Sequence, residues 1–235
     1  MSIIFAVETV EKFGSIALLE NRRVLTEFRL PEDRRSAQTL FPALRSIFQE
    51  ADIAPEKVDI VAALAGPGSF TGLRVGITTA KLFAYSTGAK VISVNTFETV
   101  AAGMLQQENP PKHLTIGVDA QRGEIAVQDY YLLNGEKQYE PDSSNFVLLP
   151  FEQWKEKKEQ RNLCFTGPAL ERYAVKMPPD ANVADREFWF PRAGVAGQLA
   201  SELLKNQKRE FVSPFDLLPI YSRLSAAEER LLKLT

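Results

Sequence analysis

Apolar residues come in short unbroken runs near the start of the chain. Ile3 to Val7 is rich in β-formers, Gly14 to Glu20 carries Ile16-Ala17-Leu18-Leu19, and Val24 to Leu30 follows after Asn21-Arg22-Arg23. Polar turns between these runs predict three strands in hairpin succession. The period then changes. From Ser36 to Ala51, Ala37, Leu40, Phe41, Leu44, Ile47, Phe48 and Ala51 recur at three and four residues, which predicts an amphipathic helix. Val58 to Leu64 is a continuous apolar run ending at a glycine turn, as in a strand covered on both faces. A second helix is expected over about Leu73 to Ser86.

The same opening returns midway. Val7-Glu8-Thr9 followed by Gly14-Ser15-Ile16-Ala17-Leu18 parallels Val118-Asp119-Ala120 followed by Gly123-Glu124-Ile125-Ala126-Val127. Each has an apolar strand, an acid, a polar turn and then Gly-x-Ile-Ala-apolar. A third strand after Asn134-Gly135 would mirror Val24 to Leu30. This order favours an internal duplication, and two α/β lobes are expected, 1–110 and 111–235, with Pro110-Pro111 as punctuation. The second lobe continues with a charged helical stretch over Phe151 to Gln160, a strand Leu163 to Thr166 and a turn at Gly167-Pro168. A helix Ala193 to Lys205 and a short final helix Ala226 to Leu234 are expected beyond it.

Charge narrows the function classes. In 235 residues, 28 Lys+Arg stand against 30 Asp+Glu, a formal net charge of −2, with 45% hydrophobic and 25% charged residues. A globular chain follows, without the basic character that drives unaided nucleic-acid binding. The cluster Lys155 to Lys158 is interrupted and flanked by glutamates, as on a solvated helix face. One cysteine (Cys164) excludes an internal disulfide, and one histidine (His113) excludes a His-rich metal site. His113 follows Asn109-Pro110-Pro111-Lys112 and reads as an exposed linker residue; Cys164, between Leu163 and Phe165, reads as a buried small hydrophobe. The opening segment lacks a basic region and meets Glu8 early, unlike a signal peptide, and no run suffices to span a membrane. A cytoplasmic location is the expectation.

The richest chemistry lies in Gly66-Pro67-Gly68-Ser69-Phe70-Thr71-Gly72-Leu73-Arg74-Val75-Gly76, between a strand and a helix. Such a loop can offer backbone N–H groups to an anion. Yet Gly72-Leu73-Arg74 lacks the Lys of a Walker A loop, and Gly66, Gly68 and Gly72 are one residue too wide for the dinucleotide pattern. A turn capped by Ser69 or Thr71 accounts for part of it. Within the helix, Gly72, Gly76, Ala80 and Ala84 form a stripe at four-residue spacing, although glycine there costs up to about 1 kcal/mol against alanine. The stripe lets another element approach closely. Spacing favours the chain's own sheet or its first helix; a partner chain is the functional alternative. Glu8 and Asp119 end strands, where open α/β sheets place ligand-handling groups, but each could equally accept bonds from its own turn.

The eleven-residue loop closely resembles the signature of the TsaB (YeaZ) family of tRNA threonylcarbamoyladenosine biosynthesis. The likeness extends through Lys81, Asn95-Thr96-Phe97-Glu98 and Asp119-Ala120-Gln121-Arg122-Gly123-Glu124, and more weakly to Pro219-Ile220-Tyr221-Ser222-Arg223. The resemblance implies an actin/Hsp70/sugar-kinase-like (ASKHA) fold of two duplicated βββαβα lobes. It also implies a non-catalytic scaffold for a TsaD-like threonylcarbamoyltransferase, joined by a TsaE-like ATPase and serving tRNA through that complex. No catalytic residue and no metal is implied, and ATP or ADP only at an interface between different subunits. In the family the contact uses helices of the first lobe, which raises the docking reading of Gly72, Gly76, Ala80 and Ala84, supported by Leu40, Phe41 and Leu44. A second copy could take the same patch as a two-fold dimer. TsaD-like proteins hold a metal with a histidine pair on the first helix; Arg34-Arg35-Ser36-Ala37-Gln38-Thr39-Leu40 has none.

Two departures bear on nucleotide binding. Glu8-Thr9-Val10 replaces Asp-Thr-Ser, and Gly167-Pro168-Ala169 stands where Gly-x-Gly is usual. Glu8, Thr9 and Asp119 are therefore a vestigial nucleotide site in this reading. The enzyme alternative is a phosphotransferase or ATPase of the same fold, with Glu8 and Asp119 flanking Mg-nucleotide.

Overall fold

The structure is a computed structural model, and it describes residues 1–11, 14–31, 36–133, 138–157 and 163–223. The expected turn at Asn134-Gly135 and helix over Ala226 to Leu234 lie outside these residues. The first three strands are β1 (Ile3–Glu8), β2 (Ser15–Glu20) and β3 (Arg23–Arg29), followed by helix α1 (Ser36–Glu50) and strand β4 (Ile60–Leu64). Helix α2 (Phe70–Thr87), strand β5 (Lys90–Val94) and helix α3 (Thr96–Met104) complete this half. The strands form one sheet in the order β3-β2-β1-β4-β5, with β1 antiparallel to β2 and parallel to β4.

The duplication is present in the backbone. Strands β6 (His113–Asp119), β7 (Glu124–Leu132), β8 (Tyr139–Pro141), β9 (Val147–Pro150) and β10 (Leu163–Thr166) form the second sheet, ordered β10-β6-β7-β8 with β9 also on β7. Here β6 is antiparallel to β7 and parallel to β10, as β1 is to β2 and β4. Among the described residues the helices of this half are shorter: α4 (Phe151–Glu156) has 6 residues and α5 (Leu170–Tyr173) has 4, against 15 in α1 and 18 in α2. Among the described residues the place of β5 is taken by a parallel bridge from Phe165 to Val183. Gly117 leaves room for Trp154, whose indole is fully buried and donates to Thr115 Oγ1 at 2.9 Å; a Cβ at Gly117 would meet the ring at 2.6 Å. His113 starts β6 and is exposed, so it belongs to a strand end and not to the linker.

Strand residues alternate between two covered faces. In the first sheet Phe5 and Val7 pack under α1 and α2 with Leu40, Ile47, Ile77 and Ala80. Ile4 and Ala6 point the other way, onto Ala193, Ala196 and Ala200 of the last helix, α6 (Ala193–Lys205). Burial on both faces is why these strands lack a polar alternation. The division at 110/111 separates the two sheets but not their coverings. Helix α3, from the first half, packs Phe97, Val100, Ala101 and Met104 onto Leu114, Ile116 and Val118 of the second sheet. Helix α6, from the second half, covers the first. Its small residues permit the approach: a Cβ on Gly197 would lie 2.4 Å from a Leu19 methyl. After α6 the chain returns along the first lobe, bridging Val212 to Val91 and Ile220 N–H to the Ala65 carbonyl at 2.7 Å.

Candidate partner-docking surface and interlobe cleft

Helix α2 starts at Phe70, three residues earlier than its apolar pattern predicts, because Ser69 caps it and its Oγ accepts from Gly72 N–H at 3.3 Å. The glycine loop is pressed against the β1–β2 turn. Ser69 N–H donates to the Val10 carbonyl at 2.7 Å, and Thr9 Oγ1 donates to the Gly72 carbonyl at 2.7 Å. A Cβ at Gly68 would lie 2.6 Å from the Val10 carbonyl oxygen, one at Gly72 1.9 Å from that of Thr9, and one at Gly76 2.3 Å from Thr9 Oγ1. Gly66 combines a φ of 113° with a Cβ direction blocked by the Ile220 carbonyl oxygen at 2.5 Å. These glycines serve close backbone approach within the chain. Two N–H groups that a phosphate would need, those of Ser69 and Gly72, are already engaged.

This geometry corrects the expected interface. Gly72, Gly76, Ala80 and Ala84 all face inward, and Ala80 and Ala84 are fully covered in the core beneath α2. The small residues let α2 lie close over the end of β1, so the stripe has no free surface. Leu40 is buried in the same core, and Leu44 packs half-buried against it. Of the seven residues expected at the interface, Phe41 alone is strongly exposed, at 66%.

The outward face of α2 carries different residues. Thr71, Arg74, Thr78, Leu82 and Tyr85 are exposed at helical spacing, with Leu82 at 59% and Tyr85 at 73%. The Arg74 guanidinium lies 3.9 Å over the Phe70 ring, and its Nε donates to Tyr221 Oη at 3.4 Å. The C-terminal segment broadens this face. Phe215 and Leu218 are 73% and 67% exposed, the Tyr85 and Phe215 rings are 6.0 Å apart, and Lys81 Nζ donates to the Phe215 carbonyl at 3.1 Å. Sequence reading passed over Leu82, Tyr85 and Phe215. The first two left a signal of their own: Leu82 and Tyr85 lie opposite the small-residue row, and a helix exposes large apolar residues on a second face only at a cost in solubility.

The scattered segments behind the family resemblance meet around the loop. Asn95 caps α3 with Glu98 in a reciprocal capping box, and Thr96 Oγ1 donates to the Pro67 carbonyl at 2.6 Å. Ile220 and Tyr221 line the loop from outside, and Arg223 pairs with Glu124 at the start of β7.

The two strand-end acids differ. Glu8 is fully buried and turned onto its own turn, accepting from Val10 N–H at 2.7 Å and Ser15 Oγ at 3.3 Å. Burial, aided by Glu11, holds its pKa well above the usual carboxylate range. Glu11 is raised to about 8, first by burial and then by the charge of Asp119. Asp119 accepts from Gln121 N–H at 2.8 Å and pairs with Arg172 Nη1 at 3.2 Å. Thr9 is covered by α2. A fully buried Glu8 engaged by its own turn and an Asp119 already paired are poor ligands for a magnesium ion. Cys164 is buried, its thiol pushed up to about 11 chiefly by that burial. Among the described residues no three His, Cys, Asp or Glu side chains group as a metal site, and no helix is long and apolar enough to cross a membrane.

Paired three-strand hairpin units, each extended by a parallel strand, define an α/β fold of the actin/Hsp70/sugar-kinase class. Residues 29–190 match the family model described as TsaD, tRNA N6-adenosine threonylcarbamoyltransferase, and the chain belongs to that family. Its likeness along the full length is to TsaB. The tRNA threonylcarbamoyladenosine biosynthesis protein TsaB of Bacillus subtilis (strain 168) is 28% identical over 231 residues, 97% of this chain and 96% of that protein. YeaZ from Pseudomonas aeruginosa superposes with a TM-score of 0.75 at 24% identity, covering 94% of this chain and 100% of the other. A structure described as an uncharacterized protein with similarity to peptidase YeaZ from Pseudomonas aeruginosa gives 0.78 at 26% identity, covering 95% and 100%.

Proposed function

We propose that this chain acts in tRNA threonylcarbamoyladenosine biosynthesis as a non-catalytic, TsaB-type partner of a TsaD-like threonylcarbamoyltransferase. The observation that carries the proposal is the contrast around α2. The strand-end acids are turned onto the chain's own turns, whereas Leu82 and Tyr85 on α2, with Phe215 beside Tyr85, stand exposed, as does Phe41 on α1. Exposed aromatic and aliphatic side chains grouped on a helical surface are the usual anchors of a protein interface. The proposed contact is therefore the outward row of α2 with Phe41, and not the glycine stripe.

A TsaE-like ATPase joins this pair, nucleotide sits only at the interface between subunits, and tRNA is engaged through the complex, in keeping with the net charge of −2. In the absence of the transferase a second copy of the chain occupies the same face. The site of action is the cytoplasm.

The test is co-purification with the TsaD-like protein from the same genome, using the double variant Leu82→Glu, Tyr85→Glu. Loss of the complex with unchanged melting temperature is the expected result. A complex retained at wild-type yield overturns the surface, and saturable Mg-ATP turnover by the isolated chain overturns the non-catalytic assignment.

A further inference from the structure

Two cavities lined by both lobes differ in what they leave unmet. A cavity of about 570 Å³ lies between α3 and α6, but its cations Arg22, Lys208 and Arg209 are each paired, with Glu202, Glu140 and Glu98. A smaller cavity, about 220 Å³, is built differently. Its walls are Ser15 and Arg29 from the β2–β3 hairpin of the first lobe, and Arg186, Phe190 and Arg192 from the segment that leads into α6.

Three arginines therefore line one small space, with Glu187 as the carboxylate among the described lining residues. Two of them are held from behind. Glu171 takes Arg186 through Nε and Nη2 at 3.0–3.2 Å, and Glu27 takes Arg192 Nη2 at 2.9 Å. Glu27 also accepts Gly194 N–H at 2.8 Å, and Ser15 Oγ accepts Ala193 N–H at 2.9 Å. The first N–H groups of α6 are thus already used, so the cavity's unmet demand comes from the arginines. That demand is specific. Arg192 Nε is buried with no acceptor among the described residues, and the Arg29 side chain has neither ion pair nor hydrogen bond among them. A buried donor without an acceptor costs about as much as a lost hydrogen bond, and calls for an occupant.

We propose that this cavity binds a small oxyanion, a phosphate or phosphate monoester group, between the two lobes. An acceptor-only tetrahedral group answers guanidinium donors from several directions. Guanidinium planes already fixed by Glu27 and Glu171 lose little freedom on binding. The volume lies below the ~300–1,000 Å³ of pockets that enclose drug-sized ligands, so the site takes one charged group and leaves any attached body outside. Because Arg29 belongs to the first lobe and Arg186 to the second, the bound anion ties the lobes together.

The experiment uses the full chain alone, so it is independent of any partner surface. Inorganic phosphate is titrated by calorimetry and by melting temperature, against sodium chloride at equal ionic strength. Saturable binding with a rise in melting temperature is expected for phosphate and not for chloride. Arg29→Gln, which removes no hydrogen bond or ion pair among the described residues, should weaken phosphate about tenfold or more while leaving the phosphate-free melting temperature unchanged. Arg192→Gln also releases Glu27 and is the less clean variant. AMP binding tighter than phosphate identifies a nucleotide monoester as the source, and equal affinity identifies the free ion. No saturation, an equal response to chloride, or an Arg29→Gln response equal to wild type overturns the proposal; an Arg192 Nε met by water alone gives this last pattern.

Discussion

The two lobes share a strand plan and diverge in what covers it. In each, an antiparallel hairpin begins with a strand that ends in an acid, and a parallel strand lies beside it. Each also uses a glycine after that parallel strand or in its helix to bring backbones together. In the first lobe Gly72 sits against the Thr9 carbonyl; in the second a Cβ on Gly167 would meet the Gly117 carbonyl oxygen at 2.4 Å. Beyond this point they part. The first lobe continues into an 18-residue helix with an exposed apolar row, the second into a 4-residue helix. The strand core is therefore duplicated, while among the described residues a long helix with an exposed apolar row follows it in one lobe alone, and that row is the proposed docking surface.

The sharpest way to break the comparison is to add one methyl group to each lobe. Gly72→Ala places a Cβ 1.9 Å from a backbone oxygen and should cost about 3 kcal/mol or more, beyond any gain in helix propensity. Gly117→Ala meets the Trp154 ring at 2.6 Å, a side chain that can shift, and should cost about 1–3 kcal/mol. Denaturant midpoints measure both, and equal losses would mean that α2 is not clamped as described. Smaller in effect is the response to pH. Glu8 and Glu11 have folded pKa values raised above the unfolded value, Glu11 to about 8. Between about 5 and 8 the native state binds more protons than the unfolded one, so stability should fall as pH rises. Glu11→Gln should flatten that slope in melting curves; an unchanged slope removes Glu11 as its source. The smallest effect belongs to Ser69→Ala, which removes the cap of α2 and should cost about 1 kcal/mol without loss of the partner complex.

Much of the framework was legible because it depends on local pattern. The runs predicted as strands coincide with β1 to β4, β6, β7 and β10 within a few residues, and α6 falls at Ala193–Lys205 as expected. The repeated acid-turn-glycine motif marked the duplication. Of the charged stretch predicted as helical to Gln160, Phe151–Glu156 is an α-helix, Lys157 continues it as a 3-10 turn and pairs with Asp129, and residues 158–162 lie outside those described. The site was less legible. Periodicity picks out a small-residue row on α2 but not its direction, since sheet and partner both welcome a close approach. It was the Thr9 backbone, 63 positions earlier than Gly72, that fixed the direction. Phe215 joins Tyr85 through a chain return that no local pattern announces.

Sequence alone sufficed for composition, the strand runs, the doubled hairpin and the family motif, because each rests on residues near one another in the chain. Three-dimensional packing settled the rest. It exchanged α3 and α6 between the sheets, so that each half of the chain covers the other half's core. It turned Gly72, Gly76, Ala80 and Ala84 inward and left Leu82 and Tyr85 outside. It also drew Arg29, Arg186 and Arg192 around one cavity. Burial, close approach and charge convergence are properties of residues distant in sequence, and they take a value only once the chain has folded back on itself.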